Sequence, residues 1–324
     1  MYERFYGLSD LPFELTANPK YLFLTGRQRE ALSTLQYGLF AAKSITLLIG
    51  EAGTGKTTLI RAALESERCQ HVRCIYLNNP ALRPDDFLRL LALKFDLGPE
   101  AAESKAILLE RLEALLRERR DAGETMALVV DEAQSLSVEL LEEIRLLANI
   151  ETPTSKLLPL VLAGQPELAD RLENHDLRQL RQRVTLRCHL EPFDVKETAA
   201  FIASRLSAAG GVPSRIFTKD AVMLIHEHSH GIPRTISVLC DNALVSGMAL
   251  ESQPVTRTIV AEVCRDFRLN STKQPSPPPY AAEGPSTDPD QDAADGSVES
   301  AADSRQPMDF FRRNRNRLGA LVSR

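Results

Sequence analysis

Five short apolar runs punctuate the first two thirds of the chain: 44–50 (SITLLIG), 71–78 (HVRCIYLN), 127–133 (ALVVDEA), 158–164 (LPLVLAG) and 184–190 (VTLRCHL). Between them the apolar residues recur three and four apart, the spacing of one helix face. Runs that stay apolar on successive residues suit strands covered on both sides, and strand alternating with helix implies a parallel sheet between two helical layers. After Glu191 the strands stop. Segments 194–211, 218–231, 233–250 and 256–267 read as four helices, punctuated by Gly210, Gly211, Gly231 and Pro254. The pattern therefore predicts an α/β domain over residues 1–191 and a helical domain over 192–270.

From residue 271 the periodicity fails. Residues 271–308 are rich in proline, small side chains and acids, with too little apolar surface to offset chain ordering, and are expected to form a disordered linker. Residues 309–324 (DFFRRNRNRLGALVSR) then set Arg312, Arg313, Arg315, Arg317 and Arg324 among Phe310, Phe311, Leu318, Leu321 and Val322, a short basic amphipathic segment. Across all 324 residues, 39 Lys+Arg stand against 44 Asp+Glu, a net charge of −5. That excludes the broad positive field of a non-specific nucleic-acid binder. The five cysteines are an odd number without a CxxC pair, which argues against a disulfide framework and a zinc knuckle and for a reducing cytoplasm. Neither a signal-peptide core nor an apolar span of about 20 residues is found. Of His226, His228 and His230, only the first and last share a helix face, and no acidic third ligand accompanies them.

The chemistry begins where the first run ends. Gly50, Glu51, Ala52, Gly53, Thr54, Gly55, Lys56 and Thr57, followed by Thr58, satisfy G-x-x-x-x-G-K-[ST] between a strand and a helix. Glycines let the backbone curl so that successive N–H groups face an anion, and the helix N-terminus adds its positive end. Lys56 is placed to reach the β and γ phosphates of ATP, and the Thr57 hydroxyl to bind Mg²⁺. A second acidic element is needed. The run ALVV ends in Asp131 and Glu132, the first suited to holding Mg²⁺ through water and the second to polarising the attacking water.

Three further positions complete the expected site. Gln165 follows the fourth run, where a polar side chain sits between the acidic strand and the phosphate loop. Arg178, Arg181 and Arg183 precede the fifth run, a place for an arginine finger that completes a neighbouring subunit's site; Arg183 is favoured and Arg181 is next. Arg234 opens the helix after Gly231 and Pro233, a cation able to report nucleotide state to the helical domain. Tyr76 to Asn79 close the second run without an assignable chemistry.

With these residues collected, the sequence resembles AAA+ ATPases of the ExeA/GspA, or general secretion pathway ATPase, family over about residues 1–270. The resemblance rests on YGLSDLPFELTANPKYLFLTGRQREALSTLQYGL, DEAQSLS, LLEEIRLLANIET, LAGQPEL, RQLRQRV and GIPRTI beside the phosphate loop. It implies a P-loop NTPase fold, a three-layer parallel-sheet domain with a C-terminal helical lid and a disordered tail. It also implies ATP and Mg²⁺ as cofactors, a homo-oligomer, and an adenine pocket near Tyr21 to Arg29. Gln165 then falls at sensor one, Arg183 at the finger and Arg234 at sensor two. Members acting in secretion often carry a membrane span and a peptidoglycan-binding module after the ATPase; here the acidic linker and basic terminus stand in that place. The function implied is ATP hydrolysis coupled to assembly or regulation of a secretion or polysaccharide-export envelope system, through a protein partner. The location implied is cytoplasmic or peripheral at the cytoplasmic face of the inner membrane. The alternative is a DNA-binding, transposition-type regulator resembling TniB. The basic segment 309–324 suits a membrane surface, nucleic acid or mere solubility, and these stay open.

Overall fold

The computed structural model describes residues 1–15, 19–78 and 82–271. The expected linker from residue 272 onward, the basic segment 309–324 and Asn79 lie outside the described residues. The chain opens with the short helix α1 (Tyr2–Tyr6) and then α2 (Gly26–Phe40). The α/β part continues as β1 (Ile45–Gly50), α3 (Lys56–Leu64), β2 (Val72–Leu77), α4 (Pro84–Lys94), α5 (Pro99–Glu103), α6 (Lys105–Asp121) and β3 (Thr125–Val130). It closes with α7 (Val138–Leu147), β4 (Leu160–Gly164), α8 (Pro166–Leu172), α9 (Arg178–Arg183) and β5 (Val184–Leu190). The remainder is helical: α10 (Val195–Ala208), α11 (Pro213–Ile216), α12 (Lys219–Ser229), α13 (Pro233–Ala249) and α14 (Arg257–Ser271).

All five strands run parallel in the order β2-β3-β4-β1-β5. The period of two along each strand divides the side chains between two cores. Ile45, Leu47 and Ile49 of β1, Leu128 and Val130 of β3, and Leu160 and Leu162 of β4 join a cluster with α4, α6 and α7. The alternate residues Leu48, Ala127, Val129, Val161 and Ala163 pack with Leu35 and Leu39 of α2 and Leu59 and Ile60 of α3. This is the three-layer architecture. Central strands are buried almost throughout because both faces are covered, whereas β5, at an edge, leaves Thr185, Arg187 and His189 exposed. In the first of these clusters Phe87 is fully buried. Phe87→Ala is expected to lower stability by about 3–5 kcal/mol through transfer and cavity terms. The midpoint of chemical denaturation checks this.

The helical part has its own core, and both ends of the described chain build it. Tyr2, Tyr6, Leu8 and Phe13 pack with Phe201, Leu206, Leu224, Leu239, Leu244 and Val260. The Tyr2 hydroxyl donates to Asp241 Oδ1 at 2.5 Å, the Ser9 N–H to the Ala209 carbonyl at 2.8 Å, and Arg205 Nη1 to the Pro12 carbonyl at 2.7 Å. From there the chain crosses to α2. Thr25 starts that helix with a reciprocal cap, its hydroxyl accepting from the Gln28 N–H while Gln28 Oε1 accepts from the Thr25 N–H.

Candidate functional site

The carboxyl ends of β1, β3 and β4 share one edge of the sheet, and the loops leaving them build the site. Gly50 ends β1 with no room for a side chain: a Cβ there would lie 2.8 Å from Thr54 Oγ1 and 2.9 Å from the Leu190 carbonyl oxygen. Gly53 and Gly55 take φ of 82° and 98°, left-handed values that favour glycine. The loop thus turns sharply and delivers Gly55 as the N-cap of α3. Thr54 is buried and its hydroxyl donates to the Glu51 carbonyl at 2.8 Å, tying the loop across its own curl. Glu51 and Ala52 are exposed on the loop, and Thr58, exposed on α3, lines the cavity the loop opens onto.

Lys56 is the first residue of α3 and is 5% exposed. Its ammonium donates to the Gly50 carbonyl at 2.8 Å and the Glu51 carbonyl at 3.1 Å. Burial pulls its pKa below the usual lysine value, opposed by the nearby Glu132, Asp131 and Glu51 carboxylates. A buried cation held by neutral carbonyls is a ready counter-charge for an anion arriving at the loop.

At the next residue, Thr57 Oγ1 donates to Asp131 Oδ2 at 2.6 Å. Asp131 follows β3 and is 3% exposed. The same Oδ2 accepts from the Tyr76 hydroxyl at 2.6 Å, and Oδ1 accepts from the Glu132 N–H at 3.0 Å. Burial, and then the Asp131 contact, push the Tyr76 hydroxyl far above the usual tyrosine range, so it stays a donor. A hydroxyl and a carboxylate oxygen this close are hard donors of the kind Mg²⁺ takes, and the set fits that ion. Glu132 adopts φ 55°, ψ 37°, a left-handed conformation uncommon outside glycine, which breaks the strand and swings its side chain toward the cavity.

These loops open onto a cavity of about 790 Å³ lined by the phosphate loop, Glu132 and the 21–24 segment with Gln28, and by Phe193, Phe201, Arg205, Pro233, Arg234 and Ser237. The base-sized part is aromatic: Phe23 meets Phe193 and Phe201 edge-on, and the Arg205 guanidinium lies over both Tyr21 and Phe201. Arg234 lies at the start of α13, directly over the phosphate loop. Its N–H donates to the Gly53 carbonyl at 3.2 Å, and a Cβ on Gly53 would come within 2.8 Å of Arg234 Cβ.

Gln165 follows β4, between β1 and β3, and its backbone N–H donates to Gln134 Oε1 at 3.1 Å. Arg183 ends α9 immediately before β5. Val184 pairs with Ile45, whereas Leu190 pairs with Gly50, so Arg183 lies at the sheet edge opposite the phosphate loop. Seven strand residues separate those edges, about 20 Å at the usual rise. Arg183 is thus not brought into its own chain's cavity. The Lys156 ammonium, by hydrogen bond and charge, holds the Glu151 carboxyl below its usual range and Arg183 adds a smaller share, while Arg181 is ion-paired with Glu173.

Sequence reasoning left Gln134, Tyr76 as a partner of Asp131, and the lid side chains Phe193, Phe201 and Arg205 unassigned. Gln134 stands in the acidic motif itself, two residues after Glu132, and that position was the signal for it. Tyr76 lies 55 residues before Asp131 and meets it through the pairing of β2 with β3, which no local pattern reports. Among the described residues no helix is long and apolar enough to cross a membrane, and no group of three or more His, Cys, Asp or Glu is arranged to hold a metal.

Comparison with known proteins matches this arrangement. The AAA domain family matches residues 41–172. General secretion pathway protein A of Aeromonas hydrophila is 41% identical over 255 residues, which cover 79% of this chain and 46% of that protein. The chain thus spans about half the length of that relative. Among solved structures, Drosophila ORC bound to DNA is similar at a TM-score of 0.61 and 18% identity, over 82% of this chain and 67% of that one. The Aeropyrum pernix ORC2 protein, in its ADPNP-ADP complexes, is similar at 0.59 and 17%, over 79% and 71%. At those identities the likeness is one of fold. Sequence and fold together make this chain an AAA+ P-loop protein of the ExeA/GspA, general secretion pathway A type.

Proposed function

We propose that the protein is a Mg²⁺-dependent ATPase. The observation that carries this is the convergence of Lys56 and Thr57 with Asp131 and Glu132, from two separated segments, beside one cavity closed by the start of α13. In this reading the loop from Gly50 to Thr58 wraps the phosphates with its N–H groups, and Lys56 exchanges its carbonyl partners for phosphate oxygens. Thr57 and Asp131 would hold Mg²⁺, whose charge would offset the negative charge of the phosphates. Glu132 takes the proton of the attacking water, Gln165 orients that water or the γ-phosphate, and Arg234 reports the γ-phosphate to the lid. The aromatic walls from Tyr21, Phe23, Phe193 and Phe201 receive the adenine.

Lys56→Ala tests the phosphate assignment. It removes the cation and leaves the Glu132, Asp131 and Glu51 carboxylates whose charge acts on its place, so the remaining field repels a polyanion. Charge-assisted hydrogen bonds contribute roughly 1.5–3 kcal/mol each, so ATP affinity is expected to fall about a hundredfold or more. Equilibrium binding of a fluorescent ATP analogue checks it, beside phosphate release from the unaltered protein with Mg²⁺ and with excess EDTA. Unchanged affinity, or no Mg²⁺-dependent phosphate release at any protein concentration, sinks the proposal.

The wider role we infer is assembly or regulation of a secretion or polysaccharide-export envelope system by a homo-oligomer, working with a protein partner at the cytoplasmic face of the inner membrane. Its support is the 41% identity to a general secretion pathway protein. The DNA-binding alternative draws no comparable support, since the DNA-bound ORC structure shares the fold at 18% identity.

A further inference from the structure

Gln134 sits two residues beyond Glu132, on the single turn Ala133–Ser135. Its side-chain amide makes two hydrogen bonds. Nε2 donates to Glu132 Oε2 at 2.6 Å, and Oε1 accepts from the Gln165 N–H at 3.1 Å. Its backbone carbonyl accepts from Arg171 Nη1 at 2.6 Å, which anchors the turn to α8. These partners define the amide's orientation. A carboxylate only accepts and a backbone N–H only donates, so the flipped amide would set oxygen against carboxylate and NH₂ against N–H.

The surroundings fit the same arrangement. A Cβ on Gly164 would lie 3.0 Å from Gln134 Oε1 and 2.7 Å from Leu168 Cδ2, so the glycine ending β4 leaves the space the amide occupies. Glu132 has left the strand for a left-handed conformation, so no ladder hydrogen bonding aims its carboxylate. A side-chain contact has to do so.

We propose that Gln134 is a positioning residue for hydrolysis. Its amide clamps one Glu132 oxygen to the end of β4 and leaves the other for the attacking water, so that the ends of β3 and β4 move as one unit. The inference rests on Glu132 being the general base.

Two variants of the full chain test it. Gln134→Ala removes both bonds. Gln134→Glu keeps the size and still accepts from the Gln165 N–H, but cannot donate to Glu132. Both are expected to lower kcat about 10- to 100-fold, as loss of an orienting partner does elsewhere. KM and equilibrium ATP affinity should stay within about threefold, because neither bond touches the phosphate loop. A Gln134→Glu protein with unaltered kcat would overturn the proposal, since the amide would then only fill space. So would a loss of ATP affinity parallel to the loss of kcat, which marks a structural role. Glu132→Gln belongs in the same series. If it is inert while the Gln134 variants turn over normally, the positioning role alone fails; if it hydrolyses ATP normally, the general-base assignment fails with it.

Discussion

Glu132→Gln is expected to bind ATP as the unaltered protein does and to hydrolyse it about 10²–10⁴ times more slowly, the usual worth of a positioned general base. The substitution preserves volume, and its amide oxygen can still accept from Gln134 Nε2, so the 2.6 Å contact and the turn it stabilises have no reason to collapse. What it loses is the ability to take a proton. Lys56, Thr57 and Asp131 are untouched, and their mutual distances do not depend on the Glu132 carboxylate, although its N–H still donates to Asp131 Oδ1. Single-turnover phosphate release alongside equilibrium ATP binding separates the two effects. Hydrolysis within tenfold of the unaltered rate would assign the base elsewhere.

The second large effect is expected at Arg183. Arginine fingers contribute about 10³–10⁵ in rate where they have been measured, and Arg183→Ala should cost on the order of 10³ with ATP affinity unchanged. Geometry makes the direction of action part of the expectation. With Val184 paired to Ile45 and Leu190 to Gly50, the Arg183 side chain starts from the wrong edge of the sheet for its own phosphate loop. It can act only on the site of another copy. Activity per chain should therefore rise with protein concentration, and mixing Arg183→Ala with Lys56→Ala protein should restore activity, since each supplies what the other lacks. Concentration-independent activity, or full activity in Arg183→Ala, would leave Arg183 as a surface charge beside Glu151.

The layered sheet was legible because its signal is local. A run such as ITLLIG, apolar but for Thr46 and buried at every residue, is suited to a strand covered on both faces, and each central strand carries that signal alone. The phosphate loop was legible for a related reason: its glycines are required by backbone conformation at Gly53 and Gly55 and by crowding at Gly50, constraints set within a few residues. Gln165 shows the limit. The sequence placed it after the fourth run, beside the acidic strand, but its link to that strand runs through its backbone N–H and the Gln134 amide. The edge strands show another. VTLRCHL reads as buried, yet alternate residues face outward because α2 covers one face of β5 and the other is left open.

What the residues encode in order along the chain is therefore the element alternation, the phosphate loop and the acidic pair at the end of β3. Each depends on contacts within a few residues or on the burial of a continuous run. Contacts between distant segments needed the folded chain. The strand order β2-β3-β4-β1-β5 sets Gln165 between the two motifs, and Tyr76 reaches Asp131 across a strand pair. Tyr2, Tyr6 and Phe13 complete the helical core from the opposite end of the sequence, and the start of α13 docks on Gly53. Such pairings lower the free energy only after long loops have closed, and their partners are selected by shape and hydrogen-bond complementarity that no short window of sequence contains.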